Sequence, residues 1–350
     1  MDPRPAPVGV DGQTPALPTR VFVTGALGFV GRALLNRYRE LGAEVRGMDV
    51  RPDPAWDVVG GDISAAGTWQ AHAQGCDLVV HTAAVVSNVA APEAYRRITV
   101  GGVRQALDAA IAGGARRFLH VSSCGAYGWH RPPDADEHTP ITVLSGNAYQ
   151  DAKAASEHPA LAAHAAGEIA CTIVRPSDVY GPGSRPWVLI PLEMIEKGLF
   201  FLPARGQGLM APIYIDDLVD GIVLAAGLEA GAGQIFNLLG EAPVATAEFF
   251  AHHVRWAGRS GPPRSFSTPT ALRLAGLAAG LGRLLRRPNE ASRQSMLMLS
   301  KSHSPSMEKA HRVLGYEPRI GLAEGMQRTE AWLRAQGRLA RAGGGGGRQP

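Results

Sequence analysis

The chain has 350 residues, 45% of them apolar and 19% charged, with a formal net charge of +4. That apolar content suits a soluble globular chain of one large or two modest domains. The basic residues are almost all scattered arginines, with lysine only at 153, 197, 301 and 309, which excludes a nucleic-acid-binding patch, and three isolated cysteines (Cys76, Cys124, Cys171) exclude a disulfide framework.

Residues 1–18 are rich in proline and have no apolar core, so they read as a disordered leader and not a signal peptide. A strand is predicted over 20–24, followed at once by Thr24-Gly25-Ala26-Leu27-Gly28-Phe29-Val30-Gly31 and an amphipathic stretch through Leu41. Glycines at three-residue spacing between a strand and a helix let the backbone turn tightly and approach a pyrophosphate. The helix N-terminus then offers free N–H groups and partial positive charge to the phosphates. An ordinary glycine-rich turn would show the same spacing, so the next strand matters. It is predicted over 44–50 and carries Asp49 near its end, about twenty residues past the glycines, where a carboxylate meets both adenosine ribose hydroxyls. A 2′-phosphate would be repelled there, which favours NAD over NADP, although Arg46 and Arg51 flank the position. Asp62-Ile63, after Gly60-Gly61, reads as an adenine-edge contact or as a plain turn.

Further strands are predicted over 77–81, 117–122 and 170–175, with helical patterns between them such as Tyr95 to Ala112. This alternation is that of an α/β fold with a Rossmann-type, doubly wound parallel sheet. The strand ending at Val121 runs into Ser122-Ser123-Cys124-Gly125-Ala126-Tyr127-Gly128, which places hydroxyls where strand ends meet a ligand crevice. Tyr149 and Lys153 follow the loop Ser145-Gly146-Asn147 and stand four apart on one helical face. A lysine ammonium beside a phenol lowers the phenol's pKa and fits it for proton transfer to or from an alcohol or ketone. Past Pro176, prolines punctuate shorter elements, and strands over 211–215 and 234–239 are expected to return to the sheet edges. Residues 19–180 therefore read as a dinucleotide-binding domain, 181–335 as a smaller, mostly helical substrate lobe, and 336–350 as a flexible tail. No stretch reaches the roughly 18 unbroken apolar residues of a membrane span. The leucine-rich segment 268–285, next to Arg286-Arg287, reads either as a helix covering the substrate pocket or as a peripheral membrane contact. His252-His253 reads as a helix-surface pair, no metal site is expected, and free thiols point to a cytoplasmic location.

These pieces together resemble the extended short-chain dehydrogenase/reductase family. The resemblance is carried by the glycine turn, Asp49, Gly61–Ile63, His81-Thr82-Ala83-Ala84, Ser122–Gly128, Tyr149–Lys153, Arg175–Gly183, Pro212–Ile222 and Lys309–Pro318. It implies an NAD-dependent enzyme with Ser123, Tyr149 and Lys153 as catalytic residues, Lys153 also binding the ribose. It implies that Gly25, Gly28, Phe29, Val30, Gly31, Asp49, Asp62, Ile63, Ala83, Ala84, Pro176 and Val179 surround the cofactor. It also implies a homodimer through the helices at 95–112 and 149–166. Within the family the chain is most similar to the 3β-hydroxysteroid dehydrogenase-like branch, so the expected substrate is a largely apolar, sterol- or terpenoid-like secondary alcohol or ketone. Nucleotide-sugar epimerases or dehydratases are the rival, and a non-catalytic dinucleotide sensor the third reading. Met210 stands where such sugar enzymes often carry a diphosphate-binding arginine, and Asp178 and Thr99 stand where many relatives have asparagine. Pro159 is expected to kink or shorten the helix that begins near Tyr149.

Overall fold

Adjacent residues of a strand point to opposite faces, so a strand covered on both sides must be apolar throughout. Val21-Phe22-Val23 meets that condition: Val21 and Val23 join a buried cluster with Leu34, Leu35, Leu218 and Ile222, while Phe22 joins another with Val103, Leu107, Ala160 and Cys171. The structure, a computed structural model, describes residues 4–87, 90–129, 131–284 and 292–339.

In chain order the strands are β1 (Arg20–Thr24), β2 (Glu44–Asp49), β3 (Val58–Gly60), β4 (Leu78–His81), β5 (Arg117–Val121), β6 (Ala170–Pro176), β7 (Asp178–Tyr180), β8 (Leu209–Met210), β9 (Pro212–Tyr214), β10 (Ile235–Leu238) and β11 (Val244–Ala245). The α-helices are α1 (Phe29–Glu40), α2 (Pro92–Ala94), α3 (Gly101–Ala112), α4 (Ala148–Ala165), α5 (Ile190–Glu196), α6 (Ile215–Gly227), α7 (Thr246–Trp256), α8 (Thr268–Leu284), α9 (Arg293–Met298), α10 (Glu308–Leu314) and α11 (Leu322–Ala335). A π-helical segment, Tyr95–Val100, joins α2 to α3. Seven strands form one parallel sheet in the order β10-β6-β5-β4-β1-β2-β3. Helices α1 and α6 cover one face, and α3 and α4 the other. The chain winds outward from β1 to β3, then crosses back to β4, so the order reverses between β1 and β4. A crevice at the carboxyl ends of the strands, at such a reversal, is where ligands bind in open α/β sheets.

Five expectations need correction. The strand at 212–214 does not join the main sheet; β9 pairs with β7 in a separate parallel pair, and only β10 takes a sheet edge. Pro159 does not shorten its helix, since α4 continues past it to Ala165. Among residues 4–18 the leader is docked, not loose. The fully buried Arg37 guanidinium donates to Arg4 O (2.8 Å), Pro5 O (2.6 Å) and Asp220 Oδ1 (2.8 Å), and Ala16 N donates to Gly227 O at 3.0 Å. At the other end Arg338 pairs with Glu193 at 2.9 Å and Leu339 is buried, so the expected tail is packed through residue 339. The rest of that tail, residues 1–3 of the leader and Leu285–Arg287 lie outside the described residues.

Helix α8 spans Thr268–Leu284, and its Ala271 and Ala275 are buried with Met296 of α9, against Phe201 and Leu272. Among the described residues no helix is long and apolar enough to cross a membrane. His253 is not a surface residue: it is fully buried, with Nε2 2.9 Å from Trp187 O.

Candidate active site

The glycine turn leaves β1 at Thr24 and opens α1. Gly25 has φ +68°, and a Cβ on it would lie 2.8 Å from the Ala83 backbone. The two βα loops therefore close to backbone contact, which only glycine permits here. At Gly31 a Cβ would fall 2.2 Å from Gly25 O. Gly28 is the N-cap of α1 and no side chain caps that end. The N–H groups at Phe29, Val30 and Gly31 thus start the helix without a side-chain acceptor, an arrangement that favours an anion.

Asp49 ends β2 beside the turn. Its Oδ2 accepts from Leu27 N at 2.9 Å and its Oδ1 from Val50 N at 2.7 Å. The carboxylate thereby fixes the glycine turn while keeping lone pairs free for hydroxyls. Arg46 is turned to Glu44, 2.6 Å away, and so does not neutralise Asp49. Asp62 is engaged by its neighbours: Oδ1 accepts from Ser64 N and Oγ, and Oδ2 pairs with Arg97 at 3.0 Å. Those Ser64 hydrogen bonds hold its carboxyl below the usual range. Ile63 beside it is buried against Gly102. Ala83 and Ala84 follow β4, and Thr82 Oγ1 donates to Thr24 O at 2.7 Å, tying that loop to β1. Thr99 supplies a hydroxyl that accepts from Val85 N at 3.0 Å. Pro176 ends β6 and Val179 lies in β7, past the same strand ends.

Tyr149 stands in the first turn of α4. Asn147 caps that turn, its Oδ1 accepting from Tyr149 N (3.0 Å) and Gln150 N (3.1 Å). Ser123 follows β5, its Oγ accepting from Gly125 N at 2.9 Å, and lies with the Tyr149 ring beside Gly125. A Cβ on Gly125 would come within 3.1 Å of Ser123 Oγ and 3.2 Å of Tyr149 Cε1, so the bare glycine leaves room for the pair to meet. Lys153 lies one turn on, but its buried Nζ donates to Val121 O at 2.9 Å. The expected lowering of the phenol by an adjacent ammonium is therefore not found. Burial raises the Tyr149 pKa above its ordinary value, with the Asp178 charge adding to that, against the Ser123 hydrogen bond. Burial pulls Lys153 down to about 8.

The structure also brings in residues that sequence reasoning left without a role. Arg175 lies in a motif quoted above; it forms a buried double contact with Glu157 (2.8 and 2.6 Å), whose Oε1 also accepts from Ser122 Oγ at 2.6 Å. Arg175 Nη1 donates to Tyr127 Oη at 2.7 Å, and that hydroxyl reaches Asn237 Oδ1 at 2.9 Å. This network holds the loop bearing Ser123 against α4, β6 and β10. A second cluster lies around Cys124: Asp178, Lys301, Arg131 and Trp129. Lys301 is one of four lysines in the chain, and that rarity was its sole signal in the sequence. Among the described residues no group of histidines, cysteines and carboxylates is arranged to hold a metal.

Comparison with known proteins agrees with this geometry. The model of the NAD dependent epimerase/dehydratase family matches residues 21–238, more than half of the chain. Among curated proteins, the chain is 28% identical over 323 residues to a 3 beta-hydroxysteroid dehydrogenase/Delta 5-->4-isomerase of Mycobacterium tuberculosis, covering 85% of this chain and 86% of that protein. It is 28% identical over 320 residues to a 4-hydroxy-2-methyl-3-oxo-4-farnesyl-3,4-dihydroquinoline-1-oxide ketoreductase of Stigmatella aurantiaca, covering 88% and 94%. A dTDP-glucose 4,6-dehydratase from Streptomyces venezuelae, solved with NAD bound, shares the fold with a TM-score of 0.72 at 24% identity, over 91% of this chain and 98% of that one. With its seven-stranded parallel sheet and uncapped glycine turn, the chain belongs to the NAD dependent epimerase/dehydratase family, a group of extended short-chain dehydrogenases/reductases whose cofactor is NAD.

Proposed function

We propose that this protein is an NAD-dependent oxidoreductase that interconverts a secondary alcohol and a ketone on a molecule with a largely apolar body. The observation that carries this reading is the placement of Ser123 and Tyr149 on either side of Gly125, at the end of β5 beside the crevice between β1 and β4. When bound, NAD supplies the hydride acceptor or donor. Ser123 Oγ orients the substrate oxygen and supports charge developing on it. Tyr149 exchanges a proton with that oxygen. Lys153 contributes to binding the ribose. A phenol raised by burial is protonated at neutral pH, so the protein's own groups favour proton donation to a ketone.

Relatives named as a hydroxysteroid dehydrogenase and a farnesyl-quinoline ketoreductase support the substrate class. Met210 is buried in the core, which leaves no cation at the position where sugar-nucleotide enzymes often hold a diphosphate. A buried diphosphate without such a partner is costly.

The test supplies NAD⁺ with a panel of hydroxysteroids, cyclic alcohols and long-chain hydroxy acids and follows NADH absorbance. Turnover is expected from at least one alcohol. Tyr149→Phe should lower turnover by roughly 10²- to 10⁴-fold, the usual size of general acid–base assistance, while NAD affinity persists. Silence across the panel from folded, NAD-bound protein would overturn the reading, and stabilisation by dTDP-glucose would then favour a sugar-nucleotide enzyme.

A further inference from the structure

Cys124 directly follows Ser123, and its buried thiol is pushed up to about 12. Four charges act on it: Arg131, Arg175, Asp178 and Lys301. Arg175 is matched by Glu157 at 2.6 Å, with both side chains almost wholly buried. That leaves two cations and one carboxylate. Lys301 Nζ lies 3.5 Å from Asp178 Oδ2, and those side chains keep 8% and 10% of their surface exposed. Asp178 Oδ2 is further held by Ala211 N at 3.1 Å. Arg131 is 8% exposed and makes no ion pair among the described residues. Its Nη2 donates to His303 O at 2.8 Å, and its buried Nε has no partner there. Trp129, whose ring centroid lies 5.7 Å from Lys301 Nζ, also has a buried Nε1 without a partner among the described residues.

A buried cation without a counter-charge is unfavourable by several kcal/mol, on the order of the penalty for desolvating an ion. A polar N–H left bare in the interior adds to that. We infer that Arg131 and Lys301 form a subsite for a carboxylate on the substrate, next to the Ser123–Tyr149 pair. The substrate is then a hydroxy acid or oxo acid with an apolar tail, its acid group a few bonds from the reacting carbon. This rests on the oxidoreductase reading above and narrows it.

Three features favour this assignment. The cluster carries one net positive charge, which one carboxylate balances. A guanidinium with a free Nε presents the planar donor fork that carboxylates accept. Asp178 is held by Ala211 N, and Ala211 packs in one cluster with Cys124, the residue after Ser123, so the cluster adjoins the loop that bears Ser123. A phosphate dianion would over-compensate the charge and crowd Asp178.

The chemistry stays that of a two-electron transfer. In the reductive direction Tyr149 gives its proton to the carbonyl oxygen and recovers one from solvent, the reduced cofactor when bound would supply the hydride, and the carboxylate is unchanged.

The probes are racemic 3-hydroxydecanoate, its methyl ester, a neutral hydroxysteroid and dTDP-glucose, each with NAD⁺ and full-length protein. Wild-type protein should oxidise and be thermally stabilised by the acid in preference to the ester. Arg131→Gln should raise KM for the acid roughly 10- to 100-fold more than KM for the methyl ester, as loss of a hydrogen bond to a charged group does. Arg131→Lys should restore part of the preference. Equal response of wild-type protein to acid and ester, a decision that needs no variant, would overturn the subsite. So would stabilisation by dTDP-glucose and not the acid, or turnover of the neutral sterol alone. If the acid stabilises wild-type but not Arg131→Gln protein while no alcohol is oxidised, the subsite stands and the oxidoreductase reading falls.

Discussion

Among the described residues three imidazoles are buried: His81, His120 and His253. His81 Nδ1 lies 2.7 Å from Thr24 Oγ1, its ring stacks on His120 with centroids 5.4 Å apart, and His120 Nε2 lies 2.9 Å from Ser156 Oγ. Burial lowers His81 and His253 to about 3, and the same cause holds His120 well below its ordinary value; the Lys153 charge adds to the effect at His81 and His120. In the unfolded chain each binds a proton near pH 6.5. The folded pKa is thus the depressed one, so their stabilising contribution is complete above about pH 6.5 and is lost as pH falls. Each such group costs about 1.4 kcal/mol per pH unit in that window. Together they take about 4 kcal/mol per unit from a total of roughly 5–15. Urea unfolding at pH 7 and pH 5 should show a large loss of stability at the lower value; equal midpoints would show that the imidazoles are charged in the fold. None of this is legible in the sequence, where an isolated histidine on a strand gives no sign of what covers it. The same blindness applies to the meeting of Arg131 and Lys301 with Asp178, which come from three distant segments. Tyr149 and Lys153 were legible because helical spacing places them together without help from the rest of the chain.

Among the elements, the strands predicted over 20–24, 44–50, 77–81, 117–122, 170–175 and 234–239 fall within one residue of β1, β2, β4, β5, β6 and β10. Continuous apolar runs bounded by turn residues mark strands covered on both faces, which is why they could be read. β3 has three residues and offers no run to read, and β9 shows an apolar run whose partner strand is a long-range matter. The glycine turn was legible as a pattern, and the structure adds its tolerances. Gly31→Ala would put a methyl 2.2 Å from Gly25 O, backbone against backbone, so the turn must open. NAD affinity should fall by at least about tenfold, an energy of about 1.4 kcal/mol, with the thermal stability gained from added NAD falling in step. Unchanged affinity by titration calorimetry would show that the turn does not contact the cofactor.

Over the whole molecule, the fold class followed from alternation of strand and helix signals, since that alternation dictates a parallel sheet with two covered faces. Residues 4–18 were misread because composition reports only whether a segment can bury its own apolar surface, not whether another part of the chain will hold its backbone. Here Arg37 of α1 does so, itself held by Asp220 of α6, and neither lies near the leader in sequence.

The guanidinium of Arg37 is therefore a lock whose key is the first few peptide carbonyls. Removing residues 1–16 should leave the buried guanidinium without its two carbonyl acceptors, with Asp220 at 2.8 Å and Glu40 at 3.5 Å as its surviving partners, at a cost of about 1–3 kcal/mol in urea denaturation. Arg37→Met should hurt the intact chain yet recover part of the loss in the shortened one. Additive losses in the double variant would show that the two do not interact. An affinity tag fused at that end would tug on the stability of the cofactor-binding half itself, so a carboxyl-terminal handle is the better choice for measuring anything else.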